Sequence, residues 1–94
     1  MMYERWNEVY ARKGTELGID RGNFVVELDE ERVYALSPAV YFVWSLCDGR
    51  TSVGTIVENI VQNAGSELDK EEIYRAVVEI IDRLTEAGLV EKVR

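Results

Sequence analysis

A chain of 94 residues, 47% hydrophobic and 31% charged, has room for one domain with a single modest core. It has no histidine and one cysteine, which excludes imidazole-dependent nucleophile pairs, imidazole zinc sites and an internal disulfide. The net charge of −7 disfavours nucleic acid as a partner, and no apolar run approaches the ~20 residues of a membrane span. We therefore expect a cytoplasmic binding protein without cofactor, metal or catalytic residues, and not an enzyme.

The first twelve residues are rich in aromatic side chains, and we separate this segment (1–12) from a domain that spans 13–94. Met2, Trp6 and either Val9 or Tyr10 recur at helical spacing, with charged residues between them. The segment is therefore predicted to be a short amphipathic helix or an aromatic arm. Packing on its own domain and contact with another chain both remain open.

The next part of the chain predicts a small antiparallel meander. Its second and third strands are 24–28 and Arg32–Leu36, which are rich in strand-forming residues and are joined by the acidic turn 29–31. A weaker first strand is expected near 15–19, where Gly18 lowers the strand propensity.

The third strand leads directly into an unusually apolar helix. Ser37 is a good N-cap and a proline follows it, as suits a first helical turn. Eight of the nine residues in 39–47 are apolar, which predicts a central helix wrapped by other elements, with Cys47 as a small buried hydrophobe. Asp48 and Gly49 are expected to end the helix in a tight corner.

Two further helices follow the corner. Ser52 is placed to cap the second helix, which ends around 63–65. Its apolar residues recur with the period of a buried helical face: Val53, Ile56, Val57, Ile60 and Val61. The third helix begins at a capping box of Asp69 and Glu72 and ends near Ala87, before Gly88. Leu68 and Ile73 are spaced for a hydrophobic staple across its start, and residues 89–93 form an extended tail.

The third helix carries more apolar surface than a surface helix needs. One stripe, sufficient to dock the helix on the core, consists of Ile73, Val77, Ile80 and Leu84. A second stripe lies about 100° round the helix and consists of Tyr74, Val78 and Ile81. Either this second stripe lies under the sheet, or it lines a groove for a partner.

Strands combined with a helix-turn-helix also describe a winged helix, so DNA binding has to be weighed. The recognition helix would lie within 69–87, where three basic residues against six acidic ones give a net charge of −3. Phosphate repulsion argues against a DNA-binding function, because backbone contacts supply most of the nonspecific affinity. The predicted fold class is therefore α+β and winged helix-turn-helix-like, with a three-stranded antiparallel sheet followed by three helices.

The order of these motifs resembles the PqqD-like family, named for pyrroloquinoline quinone biosynthesis protein D. Its members are also known as recognition elements of ribosomally made, post-translationally modified peptides. The resemblance covers roughly 13–90 and begins with the strand pair; the motifs that follow the pair complete it. It rests on Ser37-Pro38, Leu46-Cys47-Asp48-Gly49-Arg50-Thr51, Val53-Gly54-Thr55-Ile56-Val57, Ile80-Ile81-Asp82-Arg83-Leu84 and Gly88-Leu89-Val90.

The resemblance implies a noncatalytic adaptor that captures the leader segment of a precursor peptide. The leader would add as an extra strand beside the third strand and be presented to a modifying enzyme, often a radical S-adenosylmethionine enzyme. Carried over to this chain, the peptide-binding residues are Arg32, Val33, Tyr34, Ala35, Leu36, Tyr74, Val78 and Ile81. A homodimer that covers the same edge and stripe with its own copy is the alternative, and a DNA-binding winged helix is the less favoured one.

Overall fold

The computed structural model describes residues 3–64 and 69–94, which form six strands and three helices. In chain order they are β1 (Val9–Arg12), β2 (Thr15–Asp20), β3 (Asn23–Asp29), β4 (Arg32–Leu36), α1 (Pro38–Leu46), β5 (Asp48–Ser52), α2 (Val53–Ala64), α3 (Lys70–Ala87) and β6 (Val90–Lys92). The strands form two antiparallel three-stranded sheets, ordered β2-β3-β4 and β5-β1-β6. Across these ranges, none of the helices combines the length and hydrophobicity needed to cross a bilayer. The predicted α+β class is confirmed.

The first sheet is the predicted meander, with β3 in the centre. Val26 of β3 is fully buried and lies opposite Tyr34 of β4, so this face of the sheet packs towards the helices. Phe24 stacks on Tyr41 of α1 with ring centroids 3.9 Å apart. In the described part of the chain β4 pairs with β3 alone, which leaves its other edge free.

The second sheet was not predicted from the sequence. Its central strand is β1, which pairs with β5 on one side and with β6 on the other. Val9 and Tyr10 are buried there. Of the two alternatives for the N-terminal segment, the short amphipathic helix is wrong, because residues 3–7 form turns and residues 9–12 form a strand. The helical spacing of the apolar residues did not determine the local structure. Residues 9–12 form a strand because they pair with β5 and β6, which lie far away in sequence. The preceding residues 3–7 form turns that pack on the domain.

Helix α1 is capped as predicted, but it is not wrapped on all sides. The Ser37 hydroxyl accepts a hydrogen bond from the Val40 amide, and the helix already ends at Leu46. Its fully buried side chains are Val43 and Trp44, whereas Phe42 is 38% exposed. The mostly apolar side chains of α1 therefore face both the core and an open surface.

The expected corner after α1 is a short strand. Asp48 begins β5, and its carboxylate accepts hydrogen bonds from the amides of Arg50 and Thr51 at 2.9 and 2.8 Å. These bonds hold the pKa of Asp48 below its ordinary value. Gly49 adopts a left-handed φ of 82°, as its position in the motif suggested. The Asp-Gly pair therefore shapes β5 and does not end the helix.

The ends of α2 and α3 follow the sequence signals. The Ser52 hydroxyl accepts a hydrogen bond from the Thr55 amide. The Asp69 carboxylate caps α3 as predicted, but it accepts its hydrogen bond from the Glu71 amide, one residue before the Glu72 of the predicted capping box. Gly88 has a φ of 81° and donates to the Thr85 carbonyl at 3.0 Å, which ends α3. The predicted staple includes Leu68, which lies outside the described residues.

Candidate peptide-binding site

The first part of the predicted site, β4, is an accessible edge strand. Val33 is 52% exposed and Ala35 is exposed, whereas Leu36 is buried and Tyr34 is half-buried. The Tyr34 hydroxyl lies 3.4 Å from the Ala87 carbonyl oxygen, which connects the strand to the end of α3. Arg32 is tied back to the carboxylate of Asp29 in the turn before the strand. β4 therefore packs the side chains of Tyr34 and Leu36 against the domain, while its outer edge has no strand partner in the described residues.

An apolar groove of about 550 Å³ opens beside the start of α1. It lies between the three helices, and Asn63 contributes a polar side chain at the α2 wall. The apolar lining is formed by Pro38, Ala39, Phe42, Val43, Ile60, Ile73, Ala76, Val77 and Ile80. Because Pro38 follows the last residue of β4 by only two positions, the groove begins where the free edge ends.

The second stripe of α3 is not the wall of this groove. Tyr74 and Ile81 are buried, with 6% and 0% exposure, and Val78 is half-buried against the core. The rings of Tyr3 and Trp6 cover Tyr74, with centroids 5.0 and 6.2 Å from its own. The interpretation of this stripe as an open groove wall is therefore wrong for Tyr74 and Ile81, because Tyr74 is covered by the N-terminal segment of the same chain and Ile81 is buried in the core.

The open wall comes partly from the stripe that was predicted to dock α3 on the core. Ile80 is only partly buried and faces the groove, together with the exposed Ala76, which belongs to neither predicted stripe. Sequence reasoning also missed Phe42 and its neighbours at the start of α1. The available signal was the lack of a polar face on α1, because an apolar face that is not covered must line a cavity or an interface.

The N-terminal segment is held against the helices by backbone and side-chain contacts. The amides of Val53 and Gly54 donate to the carbonyls of Glu8 and Trp6, both at 2.8 Å, and so satisfy the start of α2. The Trp6 indole lies so close to Gly54 that a Cβ at this position would overlap with the ring. The Lys70 ammonium lies over the Trp6 ring, 4.9 Å from its centroid.

A cluster of polar side chains fastens the same segment to α3. Arg5 donates to Glu8 at 2.8 Å, to Tyr10 at 2.7 Å and to Asp82 at 3.1 Å. Its backbone amide donates to the Tyr74 hydroxyl at 3.0 Å. Burial would raise the pKa of Glu8, but the hydrogen bonds from Arg5 and Tyr10 outweigh it and hold that pKa below its ordinary value. This side of α3 is therefore closed by specific contacts.

The described residues offer neither a reactive thiol nor a metal site. Cys47 is fully buried, and its burial raises the pKa of the thiol to about 12, so the thiolate needed for nucleophilic attack is scarce near neutral pH. Within residues 3–64 and 69–94, no group of three or more potential acidic or thiol ligands converges on a metal position.

The sheet β2-β3-β4 with three helices defines a winged helix-turn-helix-like α+β domain that has a free sheet edge next to an apolar groove. The chain belongs to the PqqD family: the family described as Coenzyme PQQ synthesis protein D (PqqD) matches residues 24–90, well over half of its length. Searches among curated proteins and among solved structures gave no match.

Membership confirms the predicted family and the prediction that the chain is not an enzyme, because proteins of this family are noncatalytic peptide chaperones. Family membership implies a chaperone role in the biosynthesis either of pyrroloquinoline quinone or of a ribosomally made, modified peptide. The match begins at Phe24, so the N-terminal segment, β1 and β2 lie outside it.

Proposed function

We propose that this chain captures the leader segment of a ribosomally made precursor peptide by strand addition at β4. The observation that carries the proposal is the free edge of β4 beside the apolar groove. Main-chain hydrogen bonds to the edge supply affinity that tolerates different sequences, while alternate side chains of the peptide supply selectivity.

The two edges of the meander sheet differ in a way that supports β4 as the receiving edge. The pairing of β2 is irregular between Glu16 and Gly18, and Gly18 has a φ of 140°. Irregularities of this kind disrupt an edge and discourage further pairing. In contrast, the stretch from Val33 to Leu36 pairs regularly with β3 and carries neither charge nor proline.

In this proposal the site residues act in two ways. Arg32, Val33, Tyr34, Ala35 and Leu36 form the strand that receives the peptide. Of the three α3 residues, Val78 is half-buried and keeps its proposed contact with the peptide, whereas Tyr74 and Ile81 are buried and hold the helix in position. The captured peptide is then presented to a separate modifying enzyme in the cytoplasm, for which the family points to a radical S-adenosylmethionine enzyme.

The proposal is tested with peptides selected on the full chain from a randomised display library. Each selected peptide is synthesised in two forms, with N-methyl groups on one or the other set of alternate residues. Only alternate amides of an added strand face the sheet, so one form should lose binding and the other should bind like the parent. Equal binding of both forms by every selected peptide would contradict strand addition.

A further inference from the structure

The meander sheet has a second face, turned away from the helices, to which the proposed function assigns no role. Four residues of β3 and β4 form this outer face: Val25, Glu27, Val33 and Ala35. Resting on the proposed strand addition, we infer that the outer face selects the peptide through the side chains that the added strand turns outward. The selected peptides carry a large apolar residue beside Ala35 and, two positions away, a lysine or arginine beside Val33.

The alternation of side chains along β3 and β4 defines the outer face. Val26 and Tyr34 lie opposite each other and face the helices, so the residues on either side of them point the other way. These neighbours form two cross-strand pairs: Val25 with Ala35, and Glu27 with Val33. Both members of the outer face that belong to β4 are exposed to solvent.

A peptide strand on the free edge of β4 places every second side chain on the outer face. Adjacent strands lie about 4.8 Å apart, and directly opposite residues on one face of a sheet contact each other. Two peptide residues that are two positions apart therefore lie beside Val33 and Ala35, whichever way the peptide runs. This contact follows from strand addition itself.

The position beside Ala35 favours a large apolar residue. Ala35 is small and exposed, and its partner Val25 in β3 is only half-buried. A leucine, isoleucine or aromatic side chain of the peptide extends across Ala35 and covers Val25 as well. It removes apolar surface of two strands from water, which a small or polar residue at this position does not do.

The position beside Val33 favours a basic residue. Its partner Glu27 is half-buried, and among the ion pairs of the described residues none involves the Glu27 carboxylate. The backbone of an added strand lies two strand spacings, about 10 Å, from that of β3. The extended side chain of a lysine or arginine and that of Glu27 cover this distance together, with the aliphatic stem of the basic residue lying over Val33.

The outer face does not complement a second copy of itself. It consists of four residues, whereas a stable dimer needs about 20–30 residues on each side. None of the four residues is basic, so a second outer face offers Glu27 no oppositely charged partner. The peptide strand supplies both the apolar cover and the positive charge.

The inference is tested by measuring the affinity of the selected peptides for the wild type and for variants. Glu27→Gln removes the carboxylate, and Glu30→Gln, in the exposed turn before β4, is its control with the same change in net charge. Ala35→Glu places a charge beside the added strand, and Leu17→Glu is its control on the exposed strand β2, at the opposite edge of the sheet. Circular dichroism and urea unfolding establish that each variant is folded.

We expect Glu27→Gln to weaken binding about three- to fivefold and Ala35→Glu about fivefold or more. Both controls should stay within about 1.5-fold of the wild type. Replacing the basic residue of the peptide by glutamine should weaken binding to the wild type by a similar factor but leave binding to Glu27→Gln almost unchanged. This loss of additivity would assign the basic residue to Glu27 and not to the net charge of the chain.

Three results would overturn the inference. In the first, Glu27→Gln and Ala35→Glu bind normally while one N-methylated form still loses binding; the outer face then fails as the selecting surface and strand addition stands. In the second, both N-methylated forms bind equally, and the proposed function itself fails. In the third, the wild type sediments as a dimer that Ala35→Glu dissociates, which makes the outer face an interface between copies.

Discussion

The two sides of α3 show how similar apolar surfaces come to have different roles. On one side Tyr74 is covered by Tyr3 and Trp6, and the contact closes over a glycine at position 54. On the other side the small side chain of Ala76 leaves a groove. The comparison teaches that helical periodicity identifies the apolar faces of a helix but not which of them is covered. Small residues decide that: Gly54 on α2 allows Trp6 to pack closely, and Ala76 on α3 leaves space open.

The sharpest test of this comparison is a pair of adjacent isoleucines. Ile81→Ala removes a fully buried side chain on the covered side and should lower the free energy of unfolding by about 2–5 kcal/mol. Ile80→Ala, at the half-buried groove wall, should cost clearly less because part of that side chain already contacts water. Urea unfolding followed by circular dichroism measures both. Equal losses would contradict the distinction between a closed and an open side.

The contact between Trp6 and Gly54 gives the next largest effect. In a helix without that contact, Gly54→Ala would stabilise the protein by about 1 kcal/mol. Here the added Cβ overlaps with the Trp6 indole, so we expect a loss of about 1–3 kcal/mol and a change in tryptophan fluorescence.

The matched control for this prediction is the same change in a Trp6→Ala background. Without the indole, Gly54→Ala should be neutral or stabilising. A destabilisation of equal size in both backgrounds would show that residues 3–8 do not close this side of α3.

The smallest expected effect concerns pH. The pKa of Glu8 is held below its ordinary value of 4.5, mainly because hydrogen bonds from Arg5 and Tyr10 outweigh its burial. The folded state therefore binds fewer protons than the unfolded state, and this contribution to stability is present above the ordinary pKa and lost as the pH falls through the depressed one. Unfolding free energies of Glu8→Gln should decline less steeply in acid than those of the wild type.

An exposed pair serves as the control for that experiment. Glu91→Gln removes the ion pair with Lys13, in which both side chains are more than half exposed. Surface pairs of this kind contribute little, so this variant should flatten the acid decline less than Glu8→Gln. A larger effect of Glu91→Gln than of Glu8→Gln would contradict the conclusion that the cluster around Arg5 holds the N-terminal segment on α3.

Much of the fold follows from local chemistry and is visible in the sequence. Ser37, Asp69 and Gly88 mark helix ends through their own side chains or backbone conformation, and the structure uses all three. The meander was likewise marked by strand-forming residues and polar turns. These signals act over a few residues, which is why sequence reasoning found them.

The remaining features depend on residues that are distant in the chain. Pairing of Tyr10 with Lys92, which joins both ends of the chain in one sheet, leaves no local pattern at either residue. The assignment of the α3 faces failed for the same reason, because nothing near Tyr74 in sequence indicates that Trp6 covers it. A glycine in α2 and aromatic residues near the N-terminus were signals that could have been combined.

The central claim is that β4 receives the peptide while residues 3–8 keep the Tyr74 side of α3 closed. Amide hydrogen exchange of the full chain, with and without a selected peptide, tests it most directly. The account predicts slower exchange in the stretch from Val33 to Leu36 and unchanged exchange in residues 3–8. Slower exchange confined to residues 3–8, with β4 unaffected, would contradict it.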